Sequence, residues 1–119
     1  MIEMKKIIAL FAVAFSLAGC SANVQDLAAE GNWQEIGYRD GIKGNTQRSY
    51  SEMAELGAVD QASYNEGYQI GVTEYCNPNH AYQIGLSGQV YEGVCSGTED
   101  AQRFRMEWQR GWDEFSNDH

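Results

Sequence analysis

Gly37-Tyr38-Arg39-Asp40-Gly41 and, further along, Gly67-Tyr68-Gln69-Ile70-Gly71 are two copies of one pattern, Gly-Tyr-x-x-Gly, and their reading decides the fold. In a looser form, an aromatic residue stands three positions before a glycine at Tyr38/Gly41, Tyr64/Gly67, Tyr68/Gly71, Tyr82/Gly85 and Trp108/Gly111. With three Trp, seven Tyr, four Phe and 13 Gly in 119 residues, chance placement gives about 1.5 such pairs. On a helix, positions i and i+3 share a face, so each glycine makes a notch beside a flat ring. A second helix can then approach closely while the ring covers exposed backbone, as small residues four apart allow in membranes. Charged and amidic residues stand between the motif positions, so these are helices of a water-exposed protein. Glycine inside a helix costs about 1 kcal/mol relative to alanine, and tight crossing is the simplest gain that offsets it. This packing reading is preferred to a surface that stacks ligands on its rings.

Working outward, the first helix is predicted from Leu27 or Asn32 to Gly44, with Trp33, Ile36 and Tyr38 among its apolar contacts. Ser49 or Ser51 caps a short second helix to Leu56, ended by Gly57. Asp60 caps a third, running to about Tyr75 and carrying Tyr64, Tyr68, Ile70 and Val72. Asn77-Pro78-Asn79 opens a fourth through Ile84, with Pro78 suited to the first turn. Residues 85–97 read as irregular, with Gln89-Val90-Tyr91 as a few residues of strand. Thr98 starts the last helix, where Glu99 and Asp100 suit the positive end, and it buries Phe104, Trp108 and Trp112 before ending near Phe115. The expected fold is mainly α: a small disulfide-stapled bundle of about four to five short helices with an irregular or β segment near residues 88–95.

The N-terminus carries an address. Lys5 and Lys6 precede an apolar run over residues 7–17, broken only by Ser16, and Leu17-Ala18-Gly19-Cys20 follows. A spanning helix needs about 20 apolar residues, so the run is too short to remain in a bilayer and fits a secretory signal. Leu-Ala-Gly-Cys resembles the bacterial lipobox, which implies alkylation of the Cys20 thiol by a diacylglycerol, cleavage after Gly19 and acylation of the freed amine. Each buried CH₂ contributes about 0.8 kcal/mol, so two or three chains make a permanent anchor. Ser21, where an Asp is associated with inner-membrane retention, implies transfer to the outer membrane, facing the periplasm. The expected organisation is a signal peptide over 1–19, a lipidated tether over 20–31 reaching at most ~36 Å beyond Cys20, and one small helical domain over 32–119.

Composition narrows the function classes. The chain carries a net charge of −9. The removed segment holds Lys5, Lys6 and Glu3, so the remainder stands at −10, with Lys43 and five arginines as its cations. Such a body repels nucleic acid, and no nucleic-acid partner is expected. The charge serves solubility first, and secondarily suits a basic protein partner.

With Cys20 acylated, Cys76 and Cys95 remain as an even pair in an oxidising compartment, and a disulfide is expected. Closing that loop contributes roughly 3 kcal/mol to a thin core. A metal site is disfavoured: zinc wants tight Cys or His pairs, and only His80 and His119 accompany the cysteines. No cofactor is expected. There is no Gly-x-Ser-x-Gly elbow, no His-Glu-x-x-His and no phosphate-binding glycine loop. Glu35 and Asp40 lie near one helix face, but carboxylates on a helix are usually solvated, so catalysis is not expected. Asp40 interrupts the packing motif and is expected to bond a backbone group or a tyrosine hydroxyl internally.

Taken in order, Trp33-x-x-Ile36-Gly37-Tyr38-x-Asp40-Gly41, Tyr64-x-x-Gly67, Tyr75-Cys76, Ala81-x-x-x-Gly85-x-x-Gly88, Tyr91-x-Gly93-Val94-Cys95 and Trp108-x-x-Gly111 resemble the DUF2799 proteins, small envelope lipoproteins whose function is not established. The resemblance covers nearly all of residues 32–115. It implies the lipobox and the cysteine pair as shared features and supplies no activity. Two roles follow as expectations: a non-enzymatic module binding an envelope protein or cell-wall component, or an acidic inhibitor or sequestering factor for a basic protein such as a lysozyme-like hydrolase.

Overall fold

The structure, a computed structural model, describes residues 23–118. The expected signal segment, Cys20 with its expected lipidation, and the terminal His119 lie outside the described residues. Among the described residues, six helices follow in order, α1 (Val24–Ala29), α2 (Trp33–Ile42), α3 (Tyr50–Ala54), α4 (Gln61–Tyr75), α5 (Pro78–Leu86) and α6 (Ala101–Asp118), and no strand. The protein is mainly α, with a disulfide between Cys76 and Cys95.

Local chemistry sets most of the helix starts. Asn23 and Ser49 close capping boxes with Asp26 and Glu52, satisfying amides that a first turn leaves without partners. Asn32, Asp60 and Asn77 accept from the amides of Glu35, Ser63 and Asn79. Pro78 sits in the first turn of α5, where its missing N–H removes no helical bond. The stop of α2 needs a glycine: at φ 75°, Gly44 turns the chain so that its amide reaches Gly41 O and the Asn45 amide reaches Asp40 O, each at 3.0 Å.

The helices assemble as two pairs, α2 against α4 and α5 against α6. The core of the first pair holds Trp33, Ile36, Met53, Tyr64, Tyr68 and Val72, with Leu27 and Ala28 of α1 added at its edge. Burying such a side chain contributes roughly 1.5–3 kcal/mol. Trp33 keeps its one polar atom satisfied by donating Nε1–H to Ala58 O at 2.8 Å. The pairs meet around Phe104, whose ring lies 5.3 Å from Tyr75 and 5.2 Å from Tyr91. The disulfide, with its Cα atoms 5.5 Å apart, fastens the end of α4 to the loop that leads into α6. Gln89 adds a cross-link by donating its side-chain amide to Lys43 O at 2.8 Å.

Several local expectations shift. Residues 24–29, within the expected tether and with Leu27 as one of the two expected starts of the first helix, form a separate helix, α1, because the Asn23–Asp26 box nucleates a turn and Leu27 finds apolar cover. The strand at Gln89-Val90-Tyr91 does not form: Gln89 O accepts from Trp108 Nε1 at 2.9 Å, and the Tyr91 ring is committed to Phe104 and Trp108. The last helix begins at Ala101 rather than Thr98, since the Thr98 amide and hydroxyl both bond Cys95 O in a turn. α5 runs past Ile84 and Gly85 to Leu86, and α3 stops at Ala54 rather than Leu56. Ile70, one of the apolar residues expected on the third predicted helix, is 44 % exposed. Trp108 and Trp112 are only partly buried, and Phe104 alone of that trio is fully enclosed.

Candidate functional site

The motif glycines stand where backbones touch. A Cβ built on Gly37 would lie 2.1 Å from Tyr64 O, one on Gly41 2.5 Å from Tyr68 O, one on Gly67 1.9 Å from Gln34 O, and one on Gly71 2.4 Å from Tyr38 O. In the other pair, a Cβ on Gly85 would meet Trp108 O at 2.1 Å, and one on Gly111 would meet Tyr82 O at 2.1 Å. These distances are far inside contact, so each glycine hydrogen faces a carbonyl oxygen of the opposite helix in the manner of a weak Cα–H···O bond. The touched carbonyl always belongs to the residue three before a glycine of its own helix. That is the physical content of the aromatic-x-x-Gly rule. Where backbones touch, the flanks of the crossing open as wedges, and large rings fill them. Gln34 is the one exception, and its side chain instead reaches Glu66 at 3.5 Å.

Among the described residues, Asp40 is the buried charged residue of the core. Arg48 approaches it in a fork, Nε to Oδ2 at 2.7 Å and Nη2 to Oδ1 at 3.2 Å, and the Tyr64 hydroxyl donates to Oδ2 at 2.8 Å. The Tyr64 oxygen in turn accepts the Arg48 amide at 3.0 Å. This closed loop ties α2, α4 and the segment between them. Burial pushes the Tyr64 hydroxyl far up from its ordinary pKa, and the bond to Asp40 holds the Arg48 guanidinium above its own. The expectation of an internal tyrosine partner for Asp40 therefore describes the structure, and Asp40 is not paired with Glu35. Glu35 instead meets Arg39 at 3.1 Å, one turn along α2.

One side of the α2/α4 pair is covered by the core, and the other is open. Its groove, about 310 Å³, is lined by Asn32, Gln34, Glu35, Tyr38, Gly67 and Ile70. Two neighbouring concavities continue it, one joined at Ile70 along α4 and the next joined at Glu74 toward His80 and Ile84 of α5. Tyr38 donates its hydroxyl to Glu74 Oε2 at 2.6 Å, and that bond raises the pKa of the Tyr38 hydroxyl.

Of the residues singled out from sequence, Trp33, Gly37, Asp40, Gly41, Tyr64, Gly67 and Gly71 gather at the first crossing, with Tyr38 on its open side. Gly85, Trp108 and Gly111 gather at the second, and Gly88, at φ 85° after α5, lies against the Phe115 ring. Cys76 and Cys95 join the two pairs. Arg48 and Ile70 were not anticipated in their roles. Arg48 lies eight residues past Asp40 beyond a helix stop, a distance at which no helical spacing signals a partner. The outward turn of Ile70 follows from the two glycines that fix which face of α4 touches α2. Among the described residues, no three His, Cys, Asp or Glu side chains gather as a metal site requires.

A family model described as "Protein of unknown function (DUF2799)" matches residues 32–113. No curated protein and no solved structure matches the chain.

Proposed function

The chain belongs to the DUF2799 family, and from that premise we propose that it is a lipid-anchored module of the bacterial cell envelope, held at the outer membrane through acylated Cys20, that acts by binding another envelope protein or a cell-wall component rather than by catalysis. The observation that carries this reading is where the motif residues are spent. Gly37, Gly41, Gly67, Gly71, Gly85 and Gly111 are consumed in backbone contact, and Asp40 is closed into bonds with Arg48 and Tyr64. What the scaffold leaves free for function is surface. The N-terminal signal, the acidic body and the disulfide between helix pairs all accord with an extracytoplasmic site.

The test compares cells making the natural chain with cells making Cys20→Ala. Fed labelled palmitate, the natural chain takes up label and pellets with membranes, and the variant does neither. Crosslinking in intact envelopes then captures a partner with the natural chain that drops away in the variant. A natural chain that stays unlabelled, or one that crosslinks to nothing in the envelope, ends this reading.

A further inference from the structure

The two crossings share a tyrosine and a carboxylate at equivalent positions. In the first, Tyr38 stands three before Gly41 and donates its hydroxyl to Glu74, three after Gly71. In the second, Tyr82 stands three before Gly85 and donates its hydroxyl to Glu114, three after Gly111. The crossings differ beside the second glycine: Arg110 precedes it in α6 and Ile70 in α4, and Glu107, four before it in α6, has Gly67 as its counterpart in α4. Arg110 lays its guanidinium over the Tyr82 ring, 4.0 Å from the centroid, and its Nη2 meets Glu107 at 2.8 Å. Ile70 brings no charge to the equivalent place and lies exposed beside Tyr38. The linings of the open groove and its two continuations include Glu35 and Glu74 and no Lys or Arg.

We propose that the open face of α2 and α4, centred on Tyr38, Ile70 and Glu74, docks an arginine-bearing segment of a basic protein, the incoming guanidinium taking the place over Tyr38 that Arg110 takes over Tyr82. This rests on the reading of the chain as a binding module, and names its surface and the chemistry of its partner. A guanidinium stacks on a tyrosine ring while its edge reaches a carboxylate, a combination the compact ammonium of lysine does not match. Glu74 is aimed by the Tyr38 hydroxyl, and Ile70 covers the aliphatic stem of an arriving arginine. The net charge of −9 favours the approach of a cationic surface. Among the described residues, Glu35 has Arg39 as its cation, whereas Glu74 and the neighbouring Glu66 accept from the neutral Tyr38 and Gln34 and meet no cation.

The experiment places a photoreactive residue at Gln69, beside the groove, and separately at Met106 on α6, in the full chain within intact envelopes. From Gln69 the expected adduct joins a protein of net positive charge. Its yield falls about tenfold in Glu74→Gln, as the loss of one charge-assisted contact demands. It disappears in Ile70→Arg, which fills the place from within while the melting temperature holds. Glu99→Gln removes the same charge elsewhere and leaves the yield within about twofold. The proposal is overturned if Ile70→Arg melts normally and still gives the adduct, if Glu99→Gln weakens it as much as Glu74→Gln does, or if the adduct joins an acidic protein or a second copy of this chain. Adducts from Met106 alone remove this face while the module reading survives. No protein adduct from either position removes the module reading itself.

Discussion

The α2/α4 and α5/α6 pairs use the same backbone contact, yet one is anchored from inside and the other from outside. In the first, two glycines per helix, four residues apart, keep the backbones touching over a full turn. Its buried carboxylate, Asp40, is enclosed by Arg48 and Tyr64. In the second, one glycine per helix makes a single point of contact, and the flanks are filled by the partly exposed rings of Tyr91, Trp108, Trp112 and Phe115 with ring centroids 5.4 to 5.9 Å apart. Its ion pair, Arg110 with Glu107, is exposed. The difference teaches that close approach is set by glycine, whereas resistance to opening is set by what lies buried beside it. Exposed ion pairs contribute about 0–1 kcal/mol, whereas leaving a buried charge without its partner costs several times that.

The sharpest way to break this comparison is to fill the notches. Gly67→Leu places its Cβ into Gln34 O with a second contact one turn away forbidding retreat, and is expected to cost more than about 4 kcal/mol, abolishing cooperative melting of a small domain. Gly85→Ala, at a single-point crossing, is expected to cost about 2 kcal/mol. A Gly67→Leu chain that still unfolds cooperatively in urea, with a loss no larger than that of Gly85→Ala, would mean that the number of glycines is irrelevant. Reducing the Cys76–Cys95 bond is expected to cost about 3 kcal/mol, more than the single-point substitution. Hydrogen exchange should then report α5/α6 opening first, and simultaneous opening of both pairs would count against their separate anchoring. Asp40→Ala leaves the Tyr64 hydroxyl and the Arg48 guanidinium without their acceptor and is expected to cost about 2–3 kcal/mol, the partly exposed guanidinium keeping the figure below that of a fully enclosed pair. A melting curve unchanged by Asp40→Ala would remove the internal anchor from the account.

The mildest probe is alkaline pH. Burial raises the hydroxyls of Tyr64, Tyr68 and Tyr75, all on α4, with Tyr75 pushed up to about 12. A group whose folded pKa is raised contributes stability that is whole below its unfolded value, about 10 for tyrosine, and that is lost as pH rises through the folded value. The first pair is therefore expected to loosen between about pH 10 and 12, with tyrosinate absorbance from part of the seven tyrosines rising late and together with loss of helical dichroism. Titration of all the tyrosines near pH 10 with the helices intact would contradict burial as the cause.

By itself, the sequence determined much of what depends on spacing within one helix, although the ends of α3, α5 and α6 shifted by a few residues. The excess of aromatic-x-x-Gly pairs marked the crossings, Asn77-Pro78 and Asp60 marked helix starts, and an even pair of cysteines marked the bond, because caps, notches and chain closure are local or countable. The tertiary structure decided which helices share a crossing, that Asp40 takes Arg48 from beyond the stop at Gly44, that Leu27 and Ala28 join the core, and that Ile70 faces outward. Those outcomes turn on which face of one helix meets which face of another. A repeated motif is compatible with several pairings, and only the assembled backbone contacts select one.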